Sequence, residues 1–149
     1  MIDKKDQKVL ELLTEDASLS THQIAKRTLI PQTTVLHRIR KLKEQGIIKR
    51  FTIDVDFHQL GKNVKALIFV NVNKQSEKEK YGKVGDIEAQ ILRHPFVINV
   101  KRLMGKHDFV IEAVTQDIEE LNQFLITNVR SIDAVAETET VVVLQEWDK

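Results

Sequence analysis

Two stretches of this 149-residue sequence combine residue types and spacings that could recognise a ligand. In residues 32–41, a glutamine and two threonines are followed by a histidine and by basic side chains. Glutamine can bond adenine through both amide atoms, threonine offers a hydroxyl or a methyl group, and arginine can bond guanine or a phosphate. In the loop 104–108, a glycine lies close to Asp108. Backbone amides beside glycine can hold a carboxylate and Asp108 can hold an ammonium group, which together fit a free amino acid.

A helix is predicted to carry the first stretch. Pro31 suits its first position, Val35, Ile39 and Leu42 form one apolar stripe, and Gly46 closes it. At about 100° per residue, this stripe leaves the polar side chains on the opposite face and its flanks, where DNA could reach them. The candidate DNA-contacting residues are Gln32, Thr33, Thr34, His37, Arg38, Arg40 and Lys41.

Two shorter helices are predicted before this one. Asp3 and Asp6 suit the N-cap and the first turn of a helix that ends near Asp16. Ser20 and Gln23 have capping-box spacing for a second helix. Three short helices with a tight turn between the second and third make a helix-turn-helix unit, whose third helix enters the major groove of DNA.

The charge distribution favours a polyanionic partner for this part of the chain. The net charge is only +1, but residues 1–50 hold 11 basic against 6 acidic side chains, whereas residues 51–149 hold 12 against 16. Within residues 21–50, eight basic residues stand against the single acid Glu44. A charge run is often only a solvated face, but here a predicted helix-turn-helix unit carries it, which favours DNA.

After Gly61 the pattern becomes strand, helix, strand, strand, helix, strand. This order predicts two split βαβ units in a ferredoxin-like sandwich. The expected fold class is therefore α+β, with an N-terminal winged helix-turn-helix domain and a C-terminal ferredoxin-like βαββαβ domain. The predicted strands are residues 64–72, 97–104, 109–114 and 135–146, and the predicted helices are marked by Val84, Ile87 and Ile91 and by Ile118, Leu121, Phe124 and Leu125.

Taken in order, these segments resemble the Lrp/AsnC, or feast/famine, family of transcription regulators over essentially the whole chain. The resemblance rests on IDKKDQKVLELL, STHQIAKR and TTVLHRIRKLKEQGIIKRF, and further along on HPFVINVKRLMGKHDF and TETVVVL. The chain departs from the family at Leu29, where glycine is usual in the turn, and at Pro31, where a serine cap is usual. Either Leu29 sits at positive φ, with about 1–2 kcal/mol of strain, or the turn is reshaped.

The resemblance implies three parts of the chain. Residues 1–50 correspond to a helix-turn-helix DNA-binding domain, residues 51–61 to a hinge strand and linker, and residues 62–149 to a ferredoxin-like ligand-binding and oligomerisation domain. Residues 47–57 alternate well enough to predict a strand. The alternation does not distinguish a hinge strand that pairs between subunits, as in the family, from an ordinary wing strand.

The resemblance also places an effector site at the second stretch. A hairpin loop with glycine is in general more often structural than ligand-binding, and the likeness to the family's ligand loop reverses that expectation. His107 stands where an aromatic or another residue is more usual, and some family members respond to no small molecule. The candidate effector-binding residues are Met104, Gly105, Lys106, His107, Asp108, Thr138 and Thr140.

Other functions lack support in the sequence. There is no cysteine, and no histidine lies three or four residues from another, so no metal is predicted. The absence of a glycine-rich phosphate fingerprint and of a nucleophile elbow predicts no cofactor and no enzyme. An enzyme with a ferredoxin-like catalytic domain would need convergent polar groups, and the chain offers only the Asp108 loop. No apolar run approaches the roughly 18 residues of a membrane span, and a cytoplasmic protein is expected.

These observations predict a sequence-specific DNA-binding transcription regulator modulated by an amino acid or a related metabolite. Its expected partners are double-stranded DNA, a free amino acid effector and further copies of the chain, as a homodimer or a higher even oligomer. The alternative is an architectural DNA-binding protein with low sequence specificity and no effector. A sequence-specific regulator should bind its specific site more than about a thousandfold more tightly than other DNA at fixed salt, whereas an architectural protein should not.

Overall fold

The computed structural model describes residues 2–76 and 85–147. The chain divides into two units, Met1–Val55 and Asp56–Lys149. This division falls inside the segment 51–61 in which a hinge and linker are expected. Val84, which the pattern places in a helix, lies outside the described residues.

The first unit contains α1 (Lys4–Glu15), α2 (Thr21–Thr28) and α3 (Gln32–Glu44). Both predicted caps are confirmed. Asp6 N donates to Asp3 Oδ1 at 2.8 Å and Asp3 N donates to Asp6 Oδ2 at 3.0 Å, which is a complete capping box. Ser20 and Gln23 form the same reciprocal arrangement at the start of α2. Each cap satisfies backbone groups that a helix terminus otherwise leaves unpaired.

The start and end of α3 follow from Pro31 and Gly46. Pro31 lies at the N-cap, one position before the first helical residue that we predicted for it. Gly46 adopts φ 69° beyond the helix end, so that its N–H reaches Lys43 O at 3.0 Å and the next N–H, of Ile47, reaches Leu42 O at 2.9 Å. This pair of bonds is a Schellman motif, which glycine permits because it has no Cβ.

The three helices enclose a small apolar core. Partly buried Leu12, Leu13, Ala25 and Ile39 pack against it. Burial of these side chains sets the rotation of each helix and so decides which face of α3 meets solvent. The buried members of the core are Val9, Leu19, Ile24, Ile30 and Val35.

The turn between α2 and α3 keeps its left-handed geometry although leucine replaces the usual glycine. Leu29 has φ 58° and ψ 27°, and its side chain is 92% exposed. The first of our two alternatives, positive φ with strain, is therefore the observed one. The side chain gains almost no burial to offset that strain, which identifies Leu29 as a locally unfavourable residue.

Replacing Leu29 with glycine is expected to stabilise the first unit by about 0.5–1 kcal/mol, the relief of strain less the added entropy of the unfolded glycine. Urea denaturation followed by the helical circular dichroism signal measures this change. Leu29→Ala keeps a Cβ and serves as the matched control, with an expected change of about 0.5 kcal/mol or less. A gain from alanine equal to the gain from glycine would mean that strain at this position is not the cause.

The strand predicted over residues 47–57 is not formed within this chain, which corrects that expectation. Residues 49–56 have no regular secondary structure, Phe51 is 46% exposed and Ile53 is 82% exposed. A strand exists only where a neighbouring strand supplies N–H and C=O partners, and residues 2–55 contain no strand that could do so. The interpretation as an ordinary wing strand, which needs a partner strand in the same unit, is therefore wrong for this chain.

The second unit is a four-stranded antiparallel sheet with helices on one face. Its elements are β1 (Val64–Val72), α4 (Asp86–Leu92), β2 (Val97–Arg102), β3 (Phe109–Thr115), α5 (Ile118–Phe124), a π-helical turn (Leu125–Val129) and β4 (Val135–Val142). The strand order is β2-β3-β1-β4. This confirms the βαββαβ ferredoxin-like fold, with β2 and β4 ending earlier than predicted at Arg102 and Val142.

The register of the sheet sorts its side chains onto two faces. β1 pairs with β3 so that Val70 opposes Phe109, and with β4 so that Ile68 opposes Thr140. Val70, Ile68 and Phe109 belong to the buried core beneath α4 and α5. Residues at alternate positions, such as Leu67 and Phe69, therefore point to the opposite face, on which no helix among residues 56–76 and 85–147 packs.

Candidate DNA-binding and effector sites

The exposed face of α3 carries the predicted polar set. Val35 and Leu42 are buried at 0% and 1% exposure, whereas the opposite positions are open to solvent. The exposed candidates are Gln32, Thr33, His37, Arg40 and Lys41, and Thr34 is half-buried. Side chains that can hydrogen-bond base edges lie at the start of this face of α3. Cationic side chains that can contact bases or phosphates lie further along it.

Arg38, which the sequence predicts to contact DNA, forms ion pairs within the first unit. Its Nη1 lies 2.7 Å from Asp3 Oδ2 and 2.6 Å from Asp6 Oδ1, and its side chain is 17% exposed. The Arg38 hydrogen bond holds the pKa of Asp3 at about 2, against an ordinary value of 3.8. The guanidinium is bonded to two carboxylates at the start of α1, and we assign Arg38 to the packing of α3 on α1, while its contact with DNA stays a prediction.

The loop 104–108 connects β2 to β3, as predicted. Met104 at its tip is fully exposed. His107 lies against the Phe69 ring, with centroids 5.1 Å apart, and its Nε2 is 3.4 Å from Glu139 Oε2. Lys106 Nζ is 3.7 Å from the same carboxylate. The loop therefore brings two basic groups next to an acid of β4.

Asp108 supports the sheet as well as the loop. Its Oδ2 accepts a hydrogen bond from Val72 N at 2.9 Å, and its own N–H donates to Val70 O at 3.0 Å. Val72 lies at the end of β1, next to the bulge in its pairing with β4. One carboxylate oxygen of Asp108 is thus used within the fold.

A depression of about 470 Å³ lies at the beginning of β4. Three of the seven predicted effector residues line it: Lys106, His107 and Thr138. Met104, Gly105, Asp108 and Thr140 do not line it, and the Thr140 hydroxyl oxygen is buried without a hydrogen-bond partner among the described residues. Thr138 and Thr140 oppose core residues of β1 and so lie on the helix side of the sheet.

The depression also contains residues that the sequence analysis missed. Arg130 follows the π-helical turn, and its Nε donates to Thr138 Oγ1 at 2.9 Å. Asn71, Glu137 and Glu139 complete the polar lining. The alternation along residues 135–142 could have predicted that Glu137 and Glu139 lie on the same face of β4. No feature of the sequence places Arg130 near this strand.

Within residues 2–76 and 85–147, no group of three His, Cys, Asp or Glu side chains is placed to hold a metal ion. In the same part of the chain, no helix has the length and apolar character needed to cross a membrane.

Comparison with known proteins agrees with this architecture. Residues 2–49 match a model of winged helix-turn-helix DNA-binding domains, and residues 65–149 match a model of the Lrp/AsnC ligand binding domain. The HTH-type transcriptional regulator FL11 of Pyrococcus furiosus is 34% identical over 145 residues, covering 97% of this chain and 91% of that protein.

Two solved structures are also similar. The structure of Escherichia coli AsnC has 29% identity and a TM-score of 0.81, over 98% of this chain and 94% of that one. A transcriptional regulator of Neisseria meningitidis in complex with L-Met has 22% identity and a TM-score of 0.87, over 100% and 94%. Because the ligand-binding model matches more than half of the chain and FL11 aligns over nearly all of it, the chain belongs to the Lrp/AsnC family of transcriptional regulators, which are not enzymes.

Proposed function

We propose that this regulator reads a specific DNA sequence with α3 and that a small molecule bound by its second unit changes that activity. The supporting observation is the division of α3 into a buried face with Val35 and Leu42 and an exposed polar face with Gln32 and Arg40. In this proposal residues 1–50 bind DNA, residues 51–61 form the hinge, and residues 62–149 bind the effector and assemble the oligomer.

Arg40→Ala is expected to weaken binding to a cognate duplex by about 1–3 kcal/mol, because an arginine on the exposed face can bond guanine O6 and N7. Equilibrium binding to cognate and scrambled duplexes at one salt concentration measures the loss. The matched control is Lys8→Ala, which removes an exposed positive charge from α1 instead of α3. Equal losses on both duplexes would make Arg40 a phosphate contact, and no loss on either would contradict the proposed docking of α3.

A second copy of the chain completes the proposal. The open face of the sheet exposes apolar area at Leu67, Phe69 and Val141, and Ile53 projects from a segment without a strand partner. One short helix also reads too few base pairs to specify a genomic site, whereas a two-fold dimer reads two half-sites. Light scattering at micromolar concentration is therefore expected to give at least twice the 17.2 kDa chain mass. A monomer that still binds DNA tightly would contradict this.

The effector is proposed to be a free amino acid at the depression beside β4. Lys106, His107 and Arg130 can face a carboxylate, while Glu137 and Glu139 can face an ammonium group. The Neisseria meningitidis neighbour was solved with L-Met, an amino acid. Calorimetric titration of the twenty amino acids tests the proposal, and no binding tighter than millimolar would reduce the loop to a structural hairpin.

A further inference from the structure

A hydrogen bond joins the first residues of the second and third helices. Gln32 Nε2, at the start of α3, donates to Thr21 Oγ1, at the start of α2, over 3.1 Å. The Gln32 side chain is exposed, and Thr21 is half-buried beside it. Thr21 lies outside α3, so the apolar and polar pattern of that helix gives it no role.

The bond matters because a glutamine amide can face DNA in two orientations. Turning the amide by 180° exchanges its donor and its acceptor, and the two arrangements suit different bases. When one N–H of Gln32 is given to Thr21, the second N–H and Oε1 remain, and neither has a hydrogen-bond partner among the described residues. Adenine binds such a pair, since its N7 accepts the N–H and its N6 amino group donates to the oxygen.

We infer that Thr21 is a positioning residue for base recognition, and that its hydroxyl holds the Gln32 amide in the orientation that reads adenine. This role rests on the proposed function, because it requires α3 to lie in the major groove. A threonine hydroxyl both donates and accepts, whereas a phosphate oxygen only accepts. If Thr21 donates to the DNA backbone, its oxygen is left to accept from Gln32 Nε2, so that backbone contact favours the same amide orientation.

The test uses the full-length chain and an operator that it selects from random DNA. Dissociation constants at one salt concentration are measured for that operator, for each single base-pair change in it and for a scrambled duplex. Gln32→Ala is expected to abolish discrimination at one A·T pair, which identifies the pair that Gln32 reads. Thr21→Val, which replaces the hydroxyl by a methyl group, is expected to reduce discrimination at that same pair by about 5- to 10-fold. It should leave the other positions unchanged.

Two further variants separate positioning from a merely structural effect. Thr21→Ser keeps the hydroxyl and is expected to retain wild-type discrimination, and Thr21→Val in a Gln32→Ala background is expected to add no further loss at that pair. The positioning role is wrong if Thr21→Val weakens all duplexes equally, if its effect persists without Gln32, or if discrimination is unchanged. It is also wrong if Gln32→Ala affects no single pair. If the wild-type chain binds every duplex equally, the proposed function itself fails, which is a distinguishable result.

Discussion

Replacing Arg38 with methionine is expected to destabilise the first unit by about 2–3 kcal/mol. The reason is Asp6, which is 2% exposed and would keep its negative charge without the guanidinium 2.6 Å away. Methionine fills a similar volume, so that little of the loss comes from a cavity. Urea denaturation followed by the helical circular dichroism signal reports it, since the first unit consists of α1, α2 and α3.

Arg40→Met is the matched control on the same helix. Arg40 is exposed, and no ion pair is assigned to it within the described residues, so its loss should change stability by about 0.5 kcal/mol or less while weakening DNA binding. In an Asp6→Asn background, Arg38→Met should cost less than in the wild type, because a buried amide needs no counter-charge. Equal destabilisation in the two backgrounds would show that the ion pair is not what Arg38 contributes.

The ion pairs of Arg38 with Asp3 and Asp6 make the stability of the first unit depend on pH. The pKa of Asp3 is lowered from 3.8 to about 2, chiefly by the hydrogen bond from Arg38, and the pKa of Asp6 is lowered by the backbone N–H of Asp3 and by Arg38. A carboxyl whose pKa is depressed on folding stabilises the native state fully above its unfolded value and loses that contribution as the pH falls. The free energy of unfolding of the wild type should therefore fall between about pH 4 and pH 2. In Arg38→Met this fall should be smaller.

Arg38 shows where sequence reasoning stops. The helical period correctly separates buried Val35 from exposed Arg40, because the period depends only on neighbours within one helix. The partners of Arg38 are 35 and 32 residues away, at the N-cap and in the first turn of α1. No local pattern distinguishes a basic residue that faces DNA from one that neutralises a distant carboxylate, so the sequence alone cannot assign Arg38.

The strands also depend on partners that a local sequence pattern does not reveal. Alternation predicted β1 within its observed bounds, since its partners β3 and β4 lie in the same unit. Residues 47–57 alternate equally well and form no strand within the chain, because a strand needs a partner and the pattern of one segment does not supply it. The depression beside β4 could not be predicted from the sequence, because only the folded chain brings Arg130 next to Thr138.

If Asp108 holds the ammonium group of the effector, as the sequence predicts, Asp108→Asn removes the effector response and leaves the fold intact. If Glu137 and Glu139 hold it, as the lining of the depression favours, Asp108→Asn keeps the response. A bound amino acid should change the affinity for the operator by about 5- to 150-fold in the wild type, the usual range of allosteric coupling. Asparagine can still accept the hydrogen bond from Val72 N, but it carries no charge to hold an ammonium group. Operator binding with and without the amino acid found by calorimetry measures the response, and thermal unfolding checks the fold.

Asp108→Ala separates the structural role from the ligand role. It leaves the N–H of Val72, a residue only 8% exposed, without an acceptor, so that a loss of stability of about 1–3 kcal/mol is expected whichever group holds the effector. Glu119→Gln removes an exposed carboxylate from α5 and should change neither property. If Asp108→Asn keeps the full response while Asp108→Ala loses stability, the carboxylate serves the sheet alone, and the effector must be held by Lys106, His107, Arg130 and the glutamates of β4.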